Sequence, residues 1–374
     1  MESLNRVTIS RSALAHNFDL CRGQAGSAGV MAMVKADGYG HGMIECARLF
    51  AARGAVAFGV AEAVEGATLR RAGCDRPIFV LAGVVPQTAA GIVEHRLTPV
   101  VVDAAILPEL SRAAVAQGVE LPIHLKVDAG MGRQGTLPAA FSELAKVARS
   151  LPGLRVEGVM AHFPMSEERA SANSAEVLAA FRRAAAGIVG LVGNRCCLHL
   201  ANSGGLFYVA GARLDMVRLG ISLYGYYPDG AAGREAAAGP LLRPVMGCTT
   251  SVIQVRQLPA GAGLGYNHLS TTTRPTTVAV LPVGYEDGYL RVLSNRAEVL
   301  LHGRRAPVIG RISMNLTLVD ATNIDGVRVG DEAVLLGRQG EEEITADELA
   351  GWMETISYEV LCLFGNLNHR VLVD

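Results

Sequence analysis

The stretch VMAMVKADGYGHG, Val30 to Gly42, decides the fold. Its first half is a short apolar run that ends in a lysine, and its second half is polar and broken by Gly38, Gly40 and Gly42. An apolar run of this length fits a strand buried on both faces, and the glycines mark where it stops. The same unit recurs downstream. Val56 to Val60, Pro77 to Leu81, Thr98 to Val102, Ile123 to Val127, Val156 to Ala161, Cys196 to Leu200 and Met216 to Leu219 all read as further strands. Between them lie helical patterns such as Met43 to Arg53, Ala61 to Ala72, Ala104 to Gln117, Phe141 to Ser150 and Ala175 to Val192, each long enough to return the chain antiparallel to a sheet. Eight parallel strands with crossovers predict an α/β fold, a closed TIM-like (β/α)8 barrel rather than an open sheet.

The texture changes after Tyr227. PDGAAGREAAAGP has no apolar period and reads as a linker or loop. From Val245 the chain alternates with period two through CTTSVIQV, TTVAVLPV, AEVLLHG, APVIGRI, LTLVDA and EAVLLG, which predicts a mostly β C-terminal domain. A helical pair follows, with Thr345 as N-cap ahead of Asp347 and Glu348, and the chain closes on a strand, RVLVD. The expected domains are residues 8–240 and 241–374, with residues 1–7 as a candidate addition to the second.

Composition narrows the partners. The 374 residues carry 34 Lys+Arg against 35 Asp+Glu, without long like-charge runs, so nucleic acid and anionic membranes are not expected as partners and a small molecule is. Seven cysteines without a CxxC pair read as reduced thiols, which predicts a cytoplasmic protein. Apolar stretches such as Ala184 to Gly193 are too short for a membrane span, and the first residues lack the apolar core of a signal peptide.

In barrels of this kind, functional residues lie at the carboxyl ends of the strands. Here those ends carry Lys35, Arg133 in VDAGMGRQG, His162, HLANSGG and VRLGIS. A lysine at the inner end of a strand is desolvated and becomes an amine nucleophile. Taken alone, Lys35 reads rather as a packed stem whose head reaches solvent or a carboxylate such as Asp37. The glycine-rich ends of the last two strands, Ser203-Gly204-Gly205 and Gly220-Ile221-Ser222, occupy the place where barrels hold phosphate through backbone N–H groups. A phosphorylated cofactor opposite an amine suggests pyridoxal 5′-phosphate.

At this point the chain resembles the pyridoxal-phosphate-dependent alanine racemases over almost its whole length. The resemblance is carried by VKADGYGHG, LKVDAGMGRQG, MAHF, HLANSGG, VRLGISLYG, GLGYN, PVGYEDGY, VIGRISMN and TISYE, in that order. It implies interconversion of L- and D-alanine through an aldimine, with Lys35 as cofactor lysine and base on one face of the α-carbon and Tyr266 as the base on the other. Arg218 would face the pyridine nitrogen. Tyr39, Ser203, Tyr358 and the N–H groups of Gly220 and Ile221 would hold the phosphate, with His162 and Asn202 flanking the ring. Arg133 and the Met314 N–H would take the substrate carboxylate, Tyr285 would narrow the pocket, and Lys126 matches a position carbamylated in some members. The resemblance further implies a homodimer with shared active sites and D-alanine for cell-wall peptidoglycan. Ser313 and Asn315 depart from the pattern, since many members have an aspartate at the second position, and so does the tail CLFGNLNHRVLVD.

Three other readings share the barrel. His124, His162 and His199 sit on adjacent strands, as in zinc hydrolases, although Lys35 and Arg218 would repel a metal. A non-catalytic cofactor carrier leaves the second domain without a role. A decarboxylase of related fold would need an acidic-and-cysteine loop to read a distal amine, and none is evident.

Overall fold

The computed structural model describes residues 3–192, 196–237 and 239–374. Gly193, at the end of an apolar stretch noted above, and Ala238, in the linker, lie outside them. The first strand, β1 (Arg6–Ser10), belongs to the C-terminal sheet. Eight strands follow with helices between them: β2 (Gly29–Met33), β3 (Ala57–Val60), β4 (Ile78–Val80), β5 (Thr98–Val101), β6 (Leu121–Lys126), β7 (Leu154–Met160), β8 (Cys197–His199) and β9 (Met216–Leu219). All pairings among them are parallel, β2 beside both β3 and β9 and the rest in chain order to β8. β8 meets β9 through two backbone bonds instead of a ladder, Asp215 N–H to Leu198 O at 3.1 Å and Arg218 N–H to Ala201 O at 2.8 Å. The barrel expectation is borne out.

Most strand positions are apolar because the barrel interior covers one face and the helices the other. β3 (AFGV) and β5 (TPVV) are buried at every position. The helix Asn173–Val192 turns Val177, Leu178, Phe181, Ala185 and Ile188 to the core at helical spacing.

In the second domain a seven-stranded sheet runs in the order Arg304–Pro307, Glu298–Leu301, Glu332–Gln339, Met246–Ser251, β1, Arg370–Val373, with Glu342–Ile344 beside Glu332–Gln339. Chain start and chain end thus lie side by side, β1 pairing parallel with Arg370–Val373. A three-stranded sheet, Gln254–Leu258, Thr276–Leu281 and Thr317–Asp320, packs nearby. Thr345 caps the helix Ala346–Met353 by accepting from Glu348 N–H at 3.1 Å, and Ser357–Leu367 is the second helix of the pair.

Two expectations need correcting. PDGAAGREAAAGP is not all loop: Ala231–Glu235 forms one helical turn, because its alanines and Arg234 favour helix once Gly230 (φ 65°) has turned the chain. APVIGRI is a strand only to Pro307, since Gly310 (φ 75°) bends the remainder away.

Candidate active site

Lys35 does not end a strand but opens a turn. β2 stops at Met33, and Ala36, Asp37, Gly38, Tyr39 and Gly40 all take positive φ (53°, 51°, 66°, 54° and 83°). This is a left-handed turn. Each non-glycine residue in it costs about 1–2 kcal/mol, so Ala36, Asp37 and Tyr39 must be held by their surroundings. Glu65 accepts from Ala36 N–H at 2.8 Å, and Asp37 Oδ1 accepts from Met43 N–H at 2.8 Å. Buried His41 aims Nδ1 at the carbonyls of Gly38 (3.0 Å) and Tyr39 (2.9 Å), which identifies Nδ1 as the protonated nitrogen. The helix Ser357–Leu367 lies directly on the turn: a Cβ at Gly365 would come within 1.9 Å of Gly40 O.

The turn delivers Lys35 and Tyr39 to a cavity of about 780 Å³ at the carboxyl end of the barrel. Its lining includes Lys35, Tyr39, Lys126, Arg133, His162, Asn202, Ser203, Arg218, Gly220, Ile221 and Tyr358. Four of the lining side chains are cationic and none is a carboxylate. An anionic ligand suits such a wall. Desolvation, and then the Arg133 guanidinium, lowers the Lys35 pKa. Lys126 is pulled down to about 8, first by burial and then by Arg218 and Arg133, and its Nζ donates to Gln134 Oε1 at 2.8 Å.

At one end of the cavity two short helical turns begin. Asn202 caps Ser203–Tyr208 by accepting from Gly205 N–H at 2.9 Å, and Gly220 precedes Ile221–Tyr224. The first N–H groups of such turns have no acceptor within them. Ser203 and Ser222 hydroxyls meet at 2.9 Å, tying the two turns together. Tyr39 stacks on Tyr224 with ring centroids 4.9 Å apart, and a Cβ at Gly220 would lie 2.3 Å from its hydroxyl. Burial raises both Tyr39 and Tyr358, so each hydroxyl keeps its proton and is able to donate.

Arg218, on β9, crosses the barrel interior 3% exposed. Nη1 donates to His199 O (2.9 Å) and meets His199 Nδ1 (3.2 Å); Nη2 donates to Ala161 O (2.7 Å) and Leu200 O (3.0 Å) and meets His162 Nδ1 (3.1 Å). Burial lowers this guanidinium to about 9, and three carbonyl acceptors favour its charged form. Since its nitrogens only donate, Nδ1 of both histidines must accept, which makes both rings neutral with the proton on Nε2. His199 Nε2 then donates to His124 Nδ1 at 2.9 Å. Desolvation, with Arg218 adding to it, pulls His124 down to about 3 and His162 well below its ordinary value. In His199 the order is desolvation, His124, then Arg218. The imidazoles that prompted the zinc reading are therefore joined to Arg218, and among the described residues no group of three or more His, Cys, Asp or Glu is placed to hold a metal ion.

Other sequence expectations change. Asp37 pairs not with Lys35 but with Arg370. Tyr266, Tyr285 and Met314, which the family resemblance assigns to a partner's site, lie outside this chain's own cavity. They lie on turns of the second domain and are 66%, 38% and 52% exposed. Asn315 donates to Glu286 Oε2 at 2.7 Å, beside Tyr285 and not at Tyr266. Gln134 and His41 were not singled out from the sequence. Gln134 follows Arg133 directly, yet nothing in its spacing marks it as Lys126's partner.

Comparison with known proteins gives this arrangement a family. Residues 9–228 match the alanine racemase N-terminal domain and residues 245–372 the alanine racemase C-terminal domain. The chain is 40% identical to an alanine racemase of Syntrophobacter fumaroxidans over 364 residues, 96% of this chain and 95% of that protein. Among solved structures, alanine racemase from Streptomyces coelicolor superposes with a TM-score of 0.92 at 35% identity, covering 99% of this chain and 98% of that one. The enzyme from Bartonella henselae, solved with covalently bound pyridoxal phosphate, superposes at 0.89 with 27% identity, covering 99% of both chains. The chain belongs to the alanine racemase family, a family of pyridoxal-phosphate-dependent isomerases.

Proposed function

We propose that this protein interconverts L- and D-alanine, with pyridoxal phosphate held covalently on Lys35 and protons moved by Lys35 on one face and Tyr266 of a partner protomer on the other. One observation carries the reading: a lysine of lowered pKa opens into a cavity with four cationic side chains, no lining carboxylate and two helical N-termini. The residues present fit the cofactor. Tyr39, Ser203, Tyr358 and the N–H groups of Gly220 and Ile221 would hold its phosphate, with His162 and Asn202 flanking the ring. Among the described residues Arg218 Nε makes no hydrogen bond while both Nη atoms are engaged, which leaves it as the donor for a ring nitrogen. When bound, the cofactor supplies the electron sink that acidifies the α-proton of an amino acid.

The remaining steps belong to the protein. Arg133 would fork onto the substrate carboxylate, and the Met314 N–H would add a second donor. Lys35, with its pKa lowered, is neutral more often at working pH than an ordinary lysine and can take a proton from carbon. Arg218 keeps its protons and so only donates to the ring nitrogen. A partner that only donates would make the bound group a weaker sink and so favour return of the proton to the α-carbon. Tyr266 would return it from the opposite side. Its exposure, shared with Tyr285 and Met314, supports a homodimer in which each second domain completes its partner's cavity. Tyr285 and Tyr39 would crowd the substrate side chain, while a small added hydroxyl is rejected by only about a hundredfold, which keeps serine as a second substrate. Seven free cysteines support a cytoplasmic site of action, and among the described residues no helix is long and apolar enough to cross a membrane. D-Alanine made there would feed peptidoglycan.

The test is chiral chromatography of L-alanine and L-serine incubated with the protein and pyridoxal phosphate. Equal D and L alanine, reached faster than for serine, is expected. No interconversion by protein that holds the cofactor would refute the reading. Mixed Lys35→Ala and Tyr266→Ala protomers should recover activity in verified heterodimers if the sites are shared.

A further inference from the structure

Arg370 opens the last strand, in the sheet of the second domain. Its guanidinium nonetheless reaches the lysine turn of the barrel. Nη2 lies 2.5 Å from Asp37 Oδ2, and Nη1 donates to Gly40 O at 3.1 Å. The two contacts grip the left-handed turn at its second residue and its last. Just upstream, Asn368 Nδ2 donates to Asp287 O at 2.8 Å, the end of the turn Tyr285–Asp287. Two residues of the tail, Asn368 and Arg370, therefore join the turn bearing Lys35 and Tyr39 to the turn bearing Tyr285.

We propose that Arg370 is a positioning residue of the racemase site, bridging the Asp37 carboxylate and the Gly40 carbonyl so that the left-handed turn keeps Lys35 and Tyr39 at the cavity. The inference rests on Lys35 being the cofactor lysine. A run of left-handed residues that includes Ala36, Asp37 and Tyr39 is imposed on the chain and not preferred by it. The turn's own amide bonds, Gly40 to Ala36 O and Gly42 to Asp37 O, only close it. Side chains must select it. Glu65 and His41 hold it from within the barrel domain, and Arg370 alone of these clamps comes from the second domain. The planar fork meets two acceptors at once, which an ammonium does not reproduce. Arg370 also occupies Asp37, the carboxylate nearest Lys35 in sequence, and so keeps it from pairing with the amine.

The experiment compares wild type with Arg370→Met, Arg370→Lys, Asp37→Asn and the Arg370→Met/Asp37→Asn double variant. In full-length protein freed of cofactor, hydrogen exchange of residues 36–42 is read by mass spectrometry. Pyridoxal phosphate affinity is read by absorbance titration, and kcat and KM for alanine by racemisation. Arg370→Met is expected to keep wild-type circular dichroism while the turn exchanges about tenfold faster and cofactor affinity drops about tenfold, the size of one charge-assisted hydrogen bond. kcat should fall with little change in KM. The side chain is 27% exposed, so added guanidinium should restore part of each loss, a rescue that a mere folding defect would not show. The double variant should be no worse than the poorer single one, because both act through one bridge. Unchanged exchange, affinity and kcat in folded Arg370→Met would overturn the proposal, as would additive losses in the double variant. If Arg370→Met fails to fold, Arg370→Lys decides: wild-type exchange and kcat there would overturn the argument from the fork. Failure of the underlying assignment looks different, since borohydride would then fix no cofactor on Lys35 in wild type.

Discussion

Replacing His124 with asparagine removes one titrating ring and leaves an oxygen acceptor where Nδ1 stood. In the native barrel that Nδ1 accepts from His199 Nε2 at 2.9 Å, and His199 in turn faces Arg218, so the fold demands a neutral His124. Burial first, and then Arg218, pulls its pKa down to about 3, whereas an unfolded chain binds a proton there near pH 6.5. Between those values the unfolded state holds more protons than the native one. The contribution is thus fully present above pH 6.5 and is lost as pH falls toward 3. At about pH 5 the loss from this ring is about 2 kcal/mol, from roughly 1.4 kcal/mol per pH unit over about one and a half units. Urea unfolding of cofactor-free wild type and His124→Asn at about pH 7.5 and about pH 5 isolates it, because the other titrating groups cancel in the difference. The variant should start less stable, having lost a ring packed edge-on against Phe79 at 4.8 Å, yet lose about 2 kcal/mol less on acidification. Parallel losses in the two proteins would refute the neutral chain running from Arg218 through His199 to His124.

Three further outcomes are expected. With its pKa pulled to about 8, Lys126 is half neutral at that pH and open to carbon dioxide; labelled bicarbonate should give a carbamate NMR signal that grows with pH and is missing from Lys126→Ala, and no signal in wild type would refute it. Asn315→Asp should set a second carboxylate against Glu286, lowering the melting temperature in dilute salt and recovering in concentrated salt or with Glu286→Gln; salt-independent melting would count against the contact. Gly365→Ala should weaken cofactor retention and cost about 1–3 kcal/mol, because its Cβ meets the Gly40 carbonyl at 1.9 Å and backbone yields little; wild-type melting and retention would contradict that packing.

Periodicity located the barrel well. A strand buried on both faces is a compact apolar run, and Thr98 to Val102 and Val56 to Val60 stand out for that reason. The lysine turn was less legible. Only Gly38 and Gly40 advertise positive φ, while Ala36, Asp37 and Tyr39 are held there by Glu65, His41 and Arg370, contacts between residues far apart in the chain. For the same reason Asp37 was read beside Lys35 and is found on Arg370. The histidine motif was visible, but its meaning was not: a hydrogen-bond chain and a metal site use the same residues, and only the geometry around Arg218 separates them. The roles of Tyr266, Tyr285 and Met314 came from the family resemblance, since isolated aromatics and a methionine on short turns carry no chemical signal of their own.

The place of β1 bears on how the protein is made. β1 pairs on one side with Met246–Ser251 and on the other with Arg370–Val373, so it leaves the ribosome before either neighbour and waits for both. Until then its open edges can recruit other strands. The barrel strands find their partners much sooner, yet the turn behind Lys35 lacks its last clamp until the tail emerges. A nascent chain or one clipped just before Arg370 would thus carry every cavity-lining residue and still hold the turn loosely, which delays a competent site until Arg370 has emerged.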